Sequence, residues 1–267
     1  MIFTHHTKEC FVLVILLFSF SCSTDQDFNL EDGATLSIKV MDAPGEYDNM
    51  FIELSEVHLK VIDDESDPKC WWGLNSTNPG VYDLQEFIAG NEVSLLNGVR
   101  VPTGEIYAIK LVLGDNNYVV KNGQRIDLFT NVIQLDQLKM RTDTQFIQGN
   151  NYEFLVDIDA SRSVVEGPLD DQLIFRPVVR YGFKEETGAV RGRISGGTMS
   201  SYVHAVKGQD TITTLTNSRG EFSLRVLKPA TYDVYFENPD TESNNYIWID
   251  QVEVRKNQTL DLGYIIQ

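Results

Sequence analysis

From residue 34 onward, apolar and polar residues alternate in short runs broken by turn residues, the period of strands with one buried face. Leu36, Ile38 and Val40 share a face. Met50, Ile52 and Leu54 repeat the pattern, but the next apolar set is Val57, Leu59 and Val61, one position out of phase. An extra residue near Ser55-Glu56 accounts for that switch, so a β-bulge is expected there. Tyr107, Ile109, Leu111 and Leu113 read as one further strand face. Val119–Ile126 encloses Asn122-Gly123, a pair that readily takes the positive φ angles of a type I′ hairpin turn. Asn97-Gly98, between Leu95-Leu96 and Val99, is a second candidate hairpin. Phe154, Val156 and Ile158 alternate with Leu155, Asp157 and Asp159, and one strand is expected from about Leu173 to Phe183. Helical signal is scarce; Val81–Ile88, after Asn78-Pro79-Gly80, reads as a short helix or turn.

Lys184–Gly188 is a polar break. Beyond it the pattern predicts seven short strands: Ala189–Ile194, Tyr202–Val206, Thr211–Thr216, Phe222–Val226, Tyr232–Phe236, Tyr246–Val254 and Leu260–Ile266. Short strands with frequent turns define an all-β fold, here two β-sandwich domains over 34–184 and 188–267.

The first residues belong to neither. The apolar run Phe11–Phe20 has ten residues, against the roughly 20 a spanning helix needs, and suits the h-region of a secretory signal. It ends in Ser19-Phe20-Ser21-Cys22, which resembles the lipobox of bacterial lipoproteins, with Ser19 where an aliphatic residue is usual. The resemblance implies a signal peptide over 1–21, lipid on Cys22 and a flexible acidic tether over 22–33. One acyl chain binds a membrane marginally and stable anchoring takes more than one. The segment Ser23-Thr24-Asp25-Gln26-Asp27 reads either as a lipoprotein surface-export signal or as a solvated linker. These features place the chain in the cell envelope, as an outer-membrane lipoprotein.

With Cys10 in the leader and Cys22 lipidated, Cys70 alone remains, so no intramolecular disulfide is expected. Next to Trp71-Trp72, Cys70 reads as a small buried hydrophobe. The net charge is −17. It argues against nucleic acid, which needs clustered Lys and Arg, and against membrane binding without an anchor.

Two family resemblances extend this picture. Thr216-Asn217-Ser218-Arg219-Gly220-Glu221-Phe222, followed by Leu227-Lys228-Pro229-Ala230-Thr231-Tyr232, resembles the carboxypeptidase regulatory-like (transthyretin-like) sandwich, with Asn217 for the usual Asp and no glycine after Ala230. It implies a small accessory sandwich without catalytic residues, related to carbohydrate-binding-like folds. Residues 34–183 resemble the bacterial domain of unknown function 4382, through Leu36–Gly45, Gly104–Asn117, Val156–Val164 and Phe175–Arg180. That resemblance implies an envelope-anchored protein and no particular activity.

Catalytic and metal signatures are missing from the sequence. His58 and His204 are the only histidines after the leader, and there is no His-Glu-x-x-His or Cys-x-x-Cys. No Gly-x-Ser-x-Gly or phosphate loop occurs. Neither a metal nor a cofactor is expected. Asp63–Asp67 is acidic but lacks the spacing of a calcium loop, and reads as solvated. Asp157 and Asp159 could form a hydrolytic carboxylate pair; ion pairs with Arg162, Arg176 or Arg180 explain them as well. Aromatics carry the binding argument. Trp71 and Trp72 face opposite sides of a strand and Tyr82 follows Pro79-Gly80. Each could stack on a sugar or pack on the sandwich edge. Trp248 and Tyr246 share a face that is either core or a binding strip. The reading is a non-catalytic lipid-anchored envelope protein acting in binding, adhesion or surface assembly. The alternative is a carbohydrate-binding lipoprotein using Trp71, Trp72, Tyr82 and Trp248; a hydrolase is the least favoured. Partners are therefore the membrane through the lipid anchor, and a glycan or another envelope protein.

Overall fold

The computed structural model describes residues 30–31, 33–43, 47–74, 78–130, 138–169, 172–195, 201–237 and 247–266. The leader, Cys22 and Tyr246 lie outside them. In the first part the strands are β1 (Ala34–Ala43), β2 (Asn49–Lys60), β3 (Trp71–Leu74), β4 (Gly80–Asp83), β5 (Val93–Val101), β6 (Gly104–Leu113) and β7 (Tyr118–Lys121). They continue as β8 (Gln124–Phe129), β9 (Lys139–Phe146), β10 (Asn151–Asp159), β11 (Val164–Glu166), β12 (Leu173–Phe175) and β13 (Val179–Phe183). One sheet has the order β13-β10-β1-β5; the other runs β11-β12-β8-β7-β2-β6-β9, with β3 and β4 also paired to β2. After a 3₁₀ turn at Lys184–Glu186 come β14 (Gly188–Ser195), β15 (Tyr202–Lys207), β16 (Asp210–Leu215), β17 (Glu221–Leu227), β18 (Ala230–Glu237), β19 (Ile247–Val254) and β20 (Thr259–Ile266). These form a second pair of sheets, β17-β14-β20 and β16-β15-β18-β19. The fold is all-β, as the alternation predicts.

Each pair of sheets closes on its own core. Leu36, Ile38, Met50, Ile52, Phe146, Phe154 and Phe175 are fully buried in the first. Val190, Val203, Phe222, Val234 and Phe236 fill the second. Burying one such side chain contributes about 1.5–3 kcal/mol.

The β2 bulge lies where the phase switch puts it, as a register shift between Leu54 and Glu56. Asn122 (φ 52) and Gly123 (φ 73) form the β7–β8 turn. Four expectations need correction. Asn97-Gly98 is no hairpin: Gly98 (φ 61) lies within continuous β5, opposite register shifts in β1. The positive φ there serves a bulge, which has the same local chemistry as a turn. Tyr107 does not share a face with Ile109 and Leu111, because a shift between Ile106 and Ala108 changes the phase inside β6. The span 173–183 is split into β12 and β13 around Arg176-Pro177-Val178, proline having no N–H for a ladder. The segment 81–88 begins as strand β4, and the 3₁₀ turn occupies Leu84–Gly90.

The two sandwiches touch along β10, β1 and β17. This contact explains why β10 is buried on both faces from Phe154 to Asp159. Phe154, Val156 and Ile158 enter the first core, while Leu155 joins Met41 and Val226 in a small apolar cluster between the sandwiches. Val226 has φ 55, and the adjacent register irregularity of β17 lets Val226 and Leu227 be buried in different clusters. Around this cluster Glu92 pairs with both Lys39 and Arg225, and Glu153 with Lys39 and Lys184. Burial alone would raise both carboxyls, but the bonds from their cationic partners outweigh it and hold them below the ordinary 4.5. A depressed carboxyl contributes stability above its unfolded value and loses it as the pH falls through its folded value. Stability is therefore expected to fall below about pH 4.5. Glu92→Gln should flatten that acid limb in urea midpoints measured from pH 3 to pH 7.

Candidate functional site

The outer face of the β16-β15-β18-β19 sheet carries a row of rings set by strand register. Alternation along β18 turns Val234 and Phe236 into the core and Tyr235 and Glu237 outward. In β15, Val203 and Ala205 point in, leaving Tyr202 and His204 outside. Register then aligns Thr213 with His204, His204 with Tyr235, and Tyr235 with Trp248, one residue from each of four strands. His204 stacks on Tyr235 with ring centroids 4.3 Å apart and planes at 16°. Tyr235 stacks on Trp248 at 4.6 Å and 28°. Tyr202 extends the row with its centroid 6.1 Å from that of His204.

The inner end of this ladder is fixed by polar contacts. His204 Nδ1 lies 2.9 Å from Thr213 Oγ1, and Nε2 lies 3.3 Å from Glu237 Oε2. Burial pushes the His204 pKa down, with Glu237 opposing it. The His204 ring, nearly parallel to Tyr235 and in contact with Thr213 Oγ1, forms the base of the ladder. Trp248, at the outer end, is 52% exposed. Tyr202, His204, Thr213 and Glu237 also line a groove of about 1190 Å³ whose opposite wall is Tyr47, Lys121, Gln124, Glu166 and Leu169 of the first sandwich.

The other sequence candidates are placed differently. Trp72 and Tyr82 pack against the first core, and Tyr82 Oη donates to the Asn78 carbonyl. For these two the packing alternative holds. Trp71 is half-buried; its Nε1 donates to Glu65, and Lys110 Nζ lies 4.5 Å from its ring centroid. Its ring is thus already engaged by this chain's own charges. Trp71, Trp72 and Tyr82 do not join Trp248, which belongs to the other sandwich. The ladder partners Tyr202, His204 and Tyr235 were not selected from the sequence. The alternation of Tyr232-Asp233-Val234-Tyr235-Phe236 shows that Tyr235 faces away from its neighbours, but only the register shows what stands beside it.

Asp157 and Asp159 are tied to arginine. Arg180 bonds Asp157 and approaches Asp159 at 3.6 Å, and Asp159 caps the helical turn Ala160–Ser163 by accepting from Arg162 N. Burial raises the Asp157 pKa against the pull of Arg180. The cavity beside Asp157 and Arg180 measures about 10 Å³, room for one water and not for a sugar ring. These ion pairs tie β10 to β13 within the first sandwich, and the carboxylates are engaged with arginine. Cys70 is a buried free thiol, as expected from its neighbours. Among the described residues no group of His, Cys, Asp and Glu could hold a metal, and no helix is long and apolar enough to cross a membrane.

The sheet pattern of the first sandwich can now be set beside known proteins. A domain of unknown function (DUF4382) matches residues 33–177, more than half of the chain. The chain belongs to this family. No curated protein matches this DUF4382 chain. Among solved structures it is similar to a 9R-lipoxygenase from Cyanothece PCC8801, at 12% identity over 40% of this chain and 19% of that one, with a TM-score of 0.19. It is similar to a fimbrial protein from Bacteroides ovatus ATCC 8483, at 11% identity over 88% of this chain and 50% of that one, with a TM-score of 0.26. The minor pilin GBS52 of Streptococcus agalactiae is 10% identical over 86% of this chain and 94% of that one, with a TM-score of 0.23. The DUF4382 chain spans a fifth of the lipoxygenase and half of the fimbrial protein. TM-scores this low carry no argument about function.

Proposed function

We propose that this chain is a non-catalytic, lipid-anchored cell-envelope protein that binds glycans along the Tyr202–His204–Tyr235–Trp248 ladder. The observation that carries the reading is a stack of rings on the outer face of one sheet, from half-buried His204 through Tyr235 to exposed Trp248, whose Tyr202–His204 end lines a groove large enough for a chain of sugars. Aromatic faces attract the C–H faces of pyranose rings, and a pre-stacked row loses little side-chain entropy on binding. Glu237 and Thr213 stand beside the rings to accept and donate hydrogen bonds to hydroxyls.

A glycan array probed with the full chain tests this reading. Binding is expected, and Trp248→Ala should weaken it about 10-fold or more, as loss of a central aromatic contact does. An array without a binder, or a ligand held equally well by Trp248→Ala, would overturn it.

The anchor in this proposal rests on the lipobox-like Ser19–Cys22 and the acidic segment after it. Wild-type chain is expected in the membrane fraction, and Cys22→Ala in the soluble fraction; a variant that still pellets with membranes would contradict the anchor. We read 34–184 and 188–267 as separate domains, the second of the carboxypeptidase regulatory-like kind. Its support is the Asn217–Gly220 turn and the bond from Tyr232 Oη to the Lys228 carbonyl at the proline turn.

A further inference from the structure

The opposite face of the second sandwich is built from a different chemistry. Register on the β17-β14-β20 sheet sets Glu221, Arg193 and Tyr264 in one row, and Ser223, Arg191 and Asp261 in the next. Together with Ala89-Gly90 of the first sandwich and Arg225, these residues line a groove of about 680 Å³. That size lies within the range of about 300–1,000 Å³ of small-ligand pockets. Gly263 (φ +69), where a Cβ would meet nothing within 4 Å, leaves the surface between Asp261 and Tyr264 free of side chains.

The arginines of the groove are not equivalent. Arg191 pairs with Asp261 at 3.0 Å, and Arg225 with Glu92. The neighbouring carboxylate Glu221 is taken by Arg219 at 2.8 Å and by Asn217. Arg193 has no carboxylate at ion-pair distance among the described residues, although, with Asn217 and Arg219, its charge helps hold its cross-strand neighbour Glu221 below the ordinary carboxylate value; its guanidinium lies 5.2 Å from the centroid of the Tyr264 ring. Tyr264 is 67% exposed, although its strand is part of the sheet. A planar guanidinium with free donors beside an open aromatic ring matches two features of one ligand. The guanidinium takes a carboxylate through paired N–H bonds, and the ring takes the apolar face of a pyranose.

We infer that this groove is a second binding site, for a sugar carrying a carboxylate, a uronic acid residue, seated with its acid group on Arg193 and its ring on Tyr264. With a net charge of −17, an anionic ligand gains most where a guanidinium has no carboxylate at ion-pair distance, as at Arg193. The site is independent of the ladder, which lies on the other sheet.

The test is titration calorimetry of the full chain with uronate oligosaccharides (galacturonate, glucuronate and mannuronate series), with the neutral galactose, glucose and mannose oligomers, and with acetate. Binding is expected for at least one uronate series, weakening as salt is raised, and not for its neutral counterpart or for acetate. Arg193→Ala and Tyr264→Ala should each reduce it about 10-fold, Arg193→Lys less, and Trp248→Ala not at all. Because Tyr264 is mostly exposed, Tyr264→Ala is expected to melt like wild type and so reports on binding. No uronate binding, equal binding of neutral oligomers, or binding lost in Trp248→Ala but kept in Arg193→Ala would each overturn the inference. Loss confined to Arg193→Ala and Tyr264→Ala supports it even if the ladder binds nothing.

Discussion

Arg180→Ala is expected to lower the stability of the whole chain by about 3–5 kcal/mol, read as the shift of a urea unfolding midpoint. Asp157 and Asp159 are both buried against Arg180, with side chains 6% and 2% exposed. Removing the guanidinium leaves a buried carboxylate without its cation. That costs far more than the pair contributes net, because burial disfavours the charged form. The sign can be checked with a second substitution. Combining Arg180→Met with Asp157→Leu removes charge and counter-charge together and is expected to recover most of the loss. Equal destabilisation by the single and double variants would show that the pair is not what holds β10 to β13.

Gly220→Ala should lose at least about 2 kcal/mol by the same measurement. Gly220 sits at φ +76, and a Cβ there would fall 2.3 Å from the Ile194 carbonyl oxygen, held close because Ile194 N donates to the Gly220 carbonyl at 2.9 Å. Gly123 is the control. Its φ is +73, but a Cβ there meets nothing within 4 Å, so Gly123→Ala carries only the conformational cost of about 1 kcal/mol. The difference between the two variants isolates the steric part. Matching losses would mean that the turn can move away from Ile194.

Strand positions in the second sandwich are legible because short runs with apolar residues are separated by clear turn residues: all seven runs become β14–β20, with ends moved by a residue or two. Period-2 patterning requires only that one face be buried. The first sandwich was harder to read where bulges intervene. At Ser55-Glu56 the apolar residues change phase, so the bulge is visible; at Tyr107 the extra residue lies in the partner strand β9, and an aromatic opposite it mimics an unbroken face. Asn-Gly at 97-98 and at 122-123 look alike in sequence, and only the partner strand decides between a bulge and a turn. The aromatic candidates divide for a related reason. Trp72 and Tyr82 have core beneath them, whereas Trp248 is 52% exposed at the outer end of its sheet face. The ladder depends on pairing between β15, β18 and β19, which local pattern does not encode.

Trp248 is the outer ring of the proposed glycan-binding row. The most direct measurement is the affinity of the full chain for its best array glycan, compared between wild type, Trp248→Ala and Trp71→Ala. The prediction is about a 10-fold or greater loss for Trp248→Ala and none for Trp71→Ala, whose ring is held by Glu65 and Lys110. A loss in Trp71→Ala with wild-type affinity in Trp248→Ala would contradict it.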